Sequence, residues 1–133
     1  MTHSPTVAGV DGCPAGWLVV VRPLDNPARA TVQIIATFAE ILALDPQPVM
    51  IAIDMPIGLP ERAGLGGRPA DVAARTVLGA RQSSVFSVPA RAAIMEPEYR
   101  ASCEIAFRNS DPPRRVSKQM FNIFPKIRRS MPS

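Results

Sequence analysis

Apolar residues in the first fifty-odd positions fall into short runs separated by turn signals. Residues 6–10 (TVAGV) form one such run, closed by Asp11-Gly12. Residues 16–22 (GWLVVVR) are Val-rich and read as a second strand. The DGCPAG loop between them, with Pro14 and two glycines, makes the pair a hairpin. A polar stretch at 23–30, with two prolines, leads to a third strand at 31–36 (TVQIIA). Residues 38–44 (FAEILAL) change period: Phe38, Ile41 and Leu42 share one helical face. Asp45-Pro46-Gln47-Pro48 ends that helix. Residues 49–53 (VMIAI) are apolar without interruption, which predicts a strand buried on both faces, ending in Asp54-Met55-Pro56.

The texture then changes. Residues 57–69 hold four glycines and two prolines around Glu61, Arg62 and Arg68, and read as a long loop. A helix is expected over 70–78, with Val72, Ala73 and Leu78 inward and Gly79 as its C-cap. Residues 81–91 (RQSSVFSVPAR) look irregular or extended. A helix is expected over 98–108, and a last one over 117–129, disturbed by Pro125. No internal repeat is present.

The order strand, strand, strand, helix, strand predicts an α/β fold. A three-strand antiparallel meander is followed by a helical crossover to a parallel strand beside the first. The chain has 133 residues, 47% of them hydrophobic and 20% charged, which suits one globular domain. No apolar stretch approaches the ~18 residues of a membrane span, and no secretory pattern opens the chain, so a cytoplasmic protein with no membrane partner is expected. Two cysteines, Cys13 and Cys103, make neither a disulfide framework nor a zinc pair. Cys13 lies beside Asp11 without a general base in view, and Cys103 reads as a small core residue.

Charge sharpens the picture. Residues 1–60 carry a net −3 and residues 61–133 a net +7, and Arg outnumbers Lys 13 to 2. An Arg-rich half suits oxyanion recognition through bidentate guanidinium contacts, although charges of this kind also serve simply as solvated surface.

The acidic half contains the sharper signal. If the fourth strand lies parallel beside the first, Asp11 and Asp54 sit at neighbouring C-terminal strand ends, about 4.8 Å apart. Two carboxylates that close repel, and a shared proton or a divalent cation relieves them. An all-oxygen site favours Mg²⁺ or Mn²⁺, and the crevice beyond strand C-termini is where open α/β sheets bind ligands. The plainer reading gives each aspartate a turn to cap.

At these residues the chain resembles a known family. VAGVDGCPAGW (7–17), IAIDMPIGLP (51–60), GGRPADVAAR (66–75), LGARQSSVFSVPAR (78–91) and SKQMFNIFPKI (117–127) are similar, in the same order, to blocks of a prokaryotic family of unknown-function proteins thought to be ribonuclease-H-like nucleases. The resemblance implies a ribonuclease-H-like mixed sheet flanked by helices, with metal-ligand roles for Asp11 and Asp54. Nucleases of this broad fold take a further acid from the first helix or from near the C-terminus. Glu40, the only acid in the predicted first helix, is the candidate, though as a surface helix residue it needs no such role. Members of the family run on through a fifth strand and more helix, with an acidic His-Pro-Glu-type block. The resemblance therefore implies a sheet incomplete at its C-terminal side, open to pairing with a second copy.

Other residues have two readings each. Arg68, Asp71 and Arg75 fit the start of a stabilised helix, Asp71 and Arg75 as an i, i+4 pair, or they bring Arg68 over the carboxylates to meet a phosphate. Arg81, Ser83, Ser84 and Arg91 suit an oxyanion clamp. Lys118, Gln119, Asn122 and Lys126 share one helical face that is either solvated or substrate-binding. Trp17 reads as core or cleft wall, and His3 as part of a frayed terminus. GLGG at 64–67 is a hinge-like loop, not a phosphate cradle.

The expected function is a divalent-metal-dependent nuclease or phosphodiesterase, with nucleic acid or another phosphate-bearing ligand as partner. The alternatives are a non-catalytic nucleic-acid or phospho-ligand binding module, or an inactive truncated product. Phosphoryl transfer to a small molecule ranks last, because DGCPAG is a poor phosphate loop.

Overall fold

A computed structural model describes residues 3–131. Its contacts divide the chain after Met55. One unit runs to Met55 and includes the last residues from Arg129; the other is Pro56–Arg128.

The first unit is built on a four-stranded sheet. β1 (Thr6–Cys13) and β2 (Gly16–Pro23) form the expected hairpin, β3 (Thr31–Ile35) completes the meander, and β4 (Met50–Ile53) returns after helix α1 (Phe38–Leu42). The order is β3-β2-β1-β4, with β1 antiparallel to β2 and parallel to β4. The chain can turn from β1 into β2 because Gly16 has φ +138°, and a Cβ there would meet the Ile35 carbonyl oxygen at 2.5 Å. α1 starts cleanly: the Thr37 hydroxyl accepts from the Glu40 amide at 3.3 Å, and the Glu40 carboxylate accepts from the Thr37 amide at 3.1 Å. This capping box satisfies two amides that the first turn would otherwise leave bare.

Strand alternation then decides what is buried. Ala8, Val10, Trp17, Val19, Ile35 and Ile41 form the core, with Phe38, Ile51 and Ile53 packed against it. Trp17 meets Phe38 edge-on at 5.4 Å between ring centroids, worth ~0.5–1.5 kcal/mol beyond area burial. The alternate positions Leu18, Val20, Val32, Ile34 and Met50 are exposed. β4 is therefore covered on one face and not, as its unbroken apolar run predicts, on both: Ile51 and Ile53 turn inward, whereas Met50 is 65% exposed. A continuous apolar run carries no alternation, so it cannot tell a strand covered once from one covered twice.

The second unit is helical. α2 (Pro69–Leu78) is followed by a 3₁₀ turn (Gly79–Ser84), then α3 (Arg91–Met95), α4 (Tyr99–Arg108), α5 (Lys118–Phe121) and α6 (Phe124–Ser130). Its core joins Val88, Ala90, Ala93, Ile94, Cys103, Ala106, Val116, Met120 and Phe124. Polar groups within this core are paired. The Ser102 hydroxyl donates to the Ala93 carbonyl at 2.7 Å, tying α4 to α3, and the Cys103 thiol donates to the Val116 carbonyl at 3.5 Å. Arg62 donates to the carbonyls of Arg108 and Ser110, while Ala63 bridges to Ser110, so the segment after β4 is fastened to the end of α4.

Two expectations are corrected here. The final helix is two, because Pro125 falls in the first turn of α6, where a missing N–H is tolerated, and α5 ends before it. α2 exposes Val72, Ala73 and Leu78 and buries Asp71. Its one buried position is polar because the Asp71 carboxylate is fully hydrogen-bonded there.

Candidate functional site

The parallel register of β1 and β4 pairs Val10 with Ile53, and the Asp54 amide donates to the Val10 carbonyl at 3.2 Å. The next residue on each chain segment is an aspartate, so Asp11, still within β1 and opposite Leu18 of β2, has Asp54, one residue past the end of β4, beside it. Neighbouring strands are ~4.8 Å apart. Asp11 follows the buried Val10 and so lies on the opposite side of the sheet from the core. Both aspartates are exposed. Among the described residues neither carboxylate has a hydrogen-bond or ion-pair partner.

The donor set is two carboxylates, all oxygen, open to solvent. That is the chemistry of a hard divalent cation, which is commonly held by one or two carboxylates, with waters and substrate phosphate filling the rest. Among the described residues no group of three or more His, Cys, Asp or Glu side chains is placed to hold a metal. Glu40 is exposed on α1, and its carboxylate serves the capping box with Thr37. Cys13 closes β1, half-buried, and His3 is exposed.

The predicted phosphate-binding residues separate into two groups. Arg68 and Arg75 have structural partners. Arg68 donates through Nη2 to Asp71 at 2.7 Å and through Nε at 3.2 Å, and through Nη1 to the Ile57 carbonyl. Asp71 also accepts from the amides of Arg68 at 2.9 Å and Val88 at 3.3 Å. Burial raises the Asp71 pKa, but these hydrogen bonds and the Arg68 charge outweigh it, and the carboxyl lies below its ordinary 3.8. Arg75 does not pair with Asp71. Its guanidinium donates to the carbonyls of Gly66 and Val85 and to the Ser87 hydroxyl, bracing the two segments that flank α2. Gly67 makes the tight approach possible: at φ +93°, a Cβ there would meet Asp71 Oδ2 at 2.7 Å and the Val88 nitrogen at 3.0 Å.

The others are less committed. Arg81, Ser83 and Ser84 are exposed on the 3₁₀ turn, and Arg91 is exposed at the start of α3, where its amide donates to the Pro60 carbonyl. The Lys118 ammonium lies 4.3 Å from the Tyr99 ring centroid on α4 and 5.4 Å from that of Phe121 on its own helix α5, a cation–π contact with both. Lys126 is half-buried on α6. Two groups escaped the sequence reading: Asp71 as the buried organiser of its unit, and Arg114, which lines a cavity described below. Burial is what the sequence does not display: the Arg68–Asp71 pairing at the helix start is local, whereas the Val88 amide that closes over Asp71 lies seventeen residues on.

A family profile described as a protein of unknown function (DUF429) matches residues 9–131, and the chain belongs to that family. Neither the search of curated proteins nor that of solved structures gave a match.

Proposed function

We propose that this member of the family hydrolyses phosphodiesters with the help of a divalent cation held by Asp11 and Asp54, on a sheet of ribonuclease-H-like type. The observation that carries the reading is the β1–β4 register, which makes Asp11 and Asp54 neighbours where β4 ends. The sheet order β3-β2-β1-β4, an antiparallel meander with a parallel fourth strand, supports the fold part of the proposal. Bound Mg²⁺ or Mn²⁺ supplies a more acidic water and compensates charge developing on the leaving oxygen. Asp11 and Asp54 contribute the ligand oxygens, and backbone pairing fixes their spacing before any ligand arrives. Their exposure leaves room for a phosphodiester to approach. The basic residues 61–133, at net +7, favour a polyanionic substrate and a salt-sensitive affinity.

The test is cleavage of labelled RNA, DNA and hybrid duplex by the purified protein in Mn²⁺. Activity that is lost in Asp54→Asn and Asp11→Asn, and in chelator, supports the proposal; equal rates in variants and wild type refute it. A second reading, a binding module without catalysis, is favoured by one observation: only two carboxylates come together among the described residues. It expects binding that weakens with salt and ignores chelator.

A further inference from the structure

The Pro56–Arg128 unit contains a cavity of about 270 Å³ that has no part in the aspartate site. Its walls are apolar where they are deep: Val88, Val116 and Met120 are buried, and Phe86 stands at the side. A second, more open recess of about 380 Å³ shares Val85, Ser87 and Arg114 with it, and Arg75 lines that recess. No carboxylate lines either space, whereas three guanidinium-bearing residues do: Arg75, Arg114 and Arg115.

The charges differ in how far they are compensated. Arg115 has Glu104 at 3.5 Å and the Phe107 ring beneath it. Arg75 is held only by neutral oxygens, those of Gly66, Val85 and Ser87, so its position is fixed and its charge is left uncancelled. Arg114 is anchored through its backbone: its amide donates to the Ser110 hydroxyl at 2.8 Å, and that hydroxyl donates to the Ala106 carbonyl at 2.8 Å. Its guanidinium has no partner among the described residues. An apolar chamber near the lower end of the ~300–1,000 Å³ of small-molecule sites, with unpaired positive charge where its two parts meet, fits an amphipathic anion.

We propose that this cavity binds a small anion, an apolar or aromatic body carrying one carboxylate or phosphate, with the body against Val88, Val116 and Met120 and the head on Arg114 beside Arg75. Arg75, already held by three oxygens, lowers the ordering cost of capture. The site is independent of the Asp11–Asp54 proposal, so its test is run in EDTA.

The full chain is titrated with benzoate, phenyl phosphate, benzamide and inorganic phosphate, followed by amide NMR shifts and calorimetry. Benzoate and phenyl phosphate are expected to saturate in the millimolar range or below, moving the amides of Val85, Val88 and Val116; which binds tighter identifies the head group. Benzamide, lacking charge, and inorganic phosphate, lacking the body, are expected to bind at least about tenfold more weakly. Arg114→Gln, at an exposed position, should weaken both aromatic anions about tenfold and leave benzamide unchanged. Val85→Trp should block all of them. If that variant does not fold, Arg114→Lys, restoring part of the affinity lost in Arg114→Gln, takes its place. Absence of saturable binding, shifts mapping elsewhere, inorganic phosphate matching phenyl phosphate, or Arg114→Gln binding as wild type would each overturn the proposal.

Discussion

Replacing Asp71 with alanine should destabilise the Pro56–Arg128 unit more than loss of an exposed charge does. Asp71 is 4% exposed. The substitution leaves the Arg68 and Val88 amides without their acceptor and strips the Arg68 guanidinium of its carboxylate. Each orphaned buried amide costs ~1–3 kcal/mol. The guanidinium is partly wet, at 15% side-chain exposure, and keeps the Ile57 carbonyl, so its share is at the low end, ~1 kcal/mol. The total, ~3–7 kcal/mol, overlaps the ~3–5 kcal/mol usual for breaking a buried ion pair and is a large part of the ~5–15 kcal/mol that holds a domain together. Asp71→Asn keeps the volume and one acceptor oxygen and should lose about half as much. Urea unfolding followed by the near-ultraviolet signal of Tyr99, the only tyrosine, reads this unit; hydrogen exchange at the Val88 amide reads the bond itself. A loss below ~0.5 kcal/mol for Asp71→Ala, the level of an ordinary surface change, would refute the reasoning. So would an asparagine variant no more stable than the alanine one.

Acid should weaken the same unit. The folded pKa of Asp71 is depressed, so the contribution is complete above its unfolded value of 3.8 and disappears as pH falls through the lower folded value. Unfolding measured at decreasing pH should show the decline in wild type and a flatter profile in Asp71→Asn. In the other unit, Ile41→Ala, at a fully buried helix position, should cost ~2–5 kcal/mol by urea melts followed with Trp17 fluorescence. Leu42→Ala, half exposed on the next position, should stay within ~0.5 kcal/mol.

Legibility in the sequence follows the range of the forces involved. The β1–β2 hairpin, the meander and the parallel return of β4 were readable because loops such as DGCPAG and DPQP punctuate apolar runs locally. The juxtaposition of Asp11 and Asp54 then followed from topology alone. α3 was missed: five residues, RAAIM, are too few to display a helical period. The inward face of α2 was misread because apolarity is a poor guide where a buried stripe is polar and satisfied. Asp71 faces inward only because Arg68 and Val88 meet it there. The partners of the Arg68 guanidinium, a carboxylate and a carbonyl, were hidden for the same reason. Nothing local in the chain announces such partners, which lie up to seventeen residues away.

One-sided cover of the sheet sorts neighbouring valines into different evolutionary fates. Val19 is sealed in the interior and Val20, next along β2, faces outward. A polar replacement at the first leaves a hydroxyl stranded among hydrocarbon; at the second it merely meets solvent. Drift should therefore run freely at every other position of these strands, and a library randomised across β2 should return survivors with a two-residue rhythm.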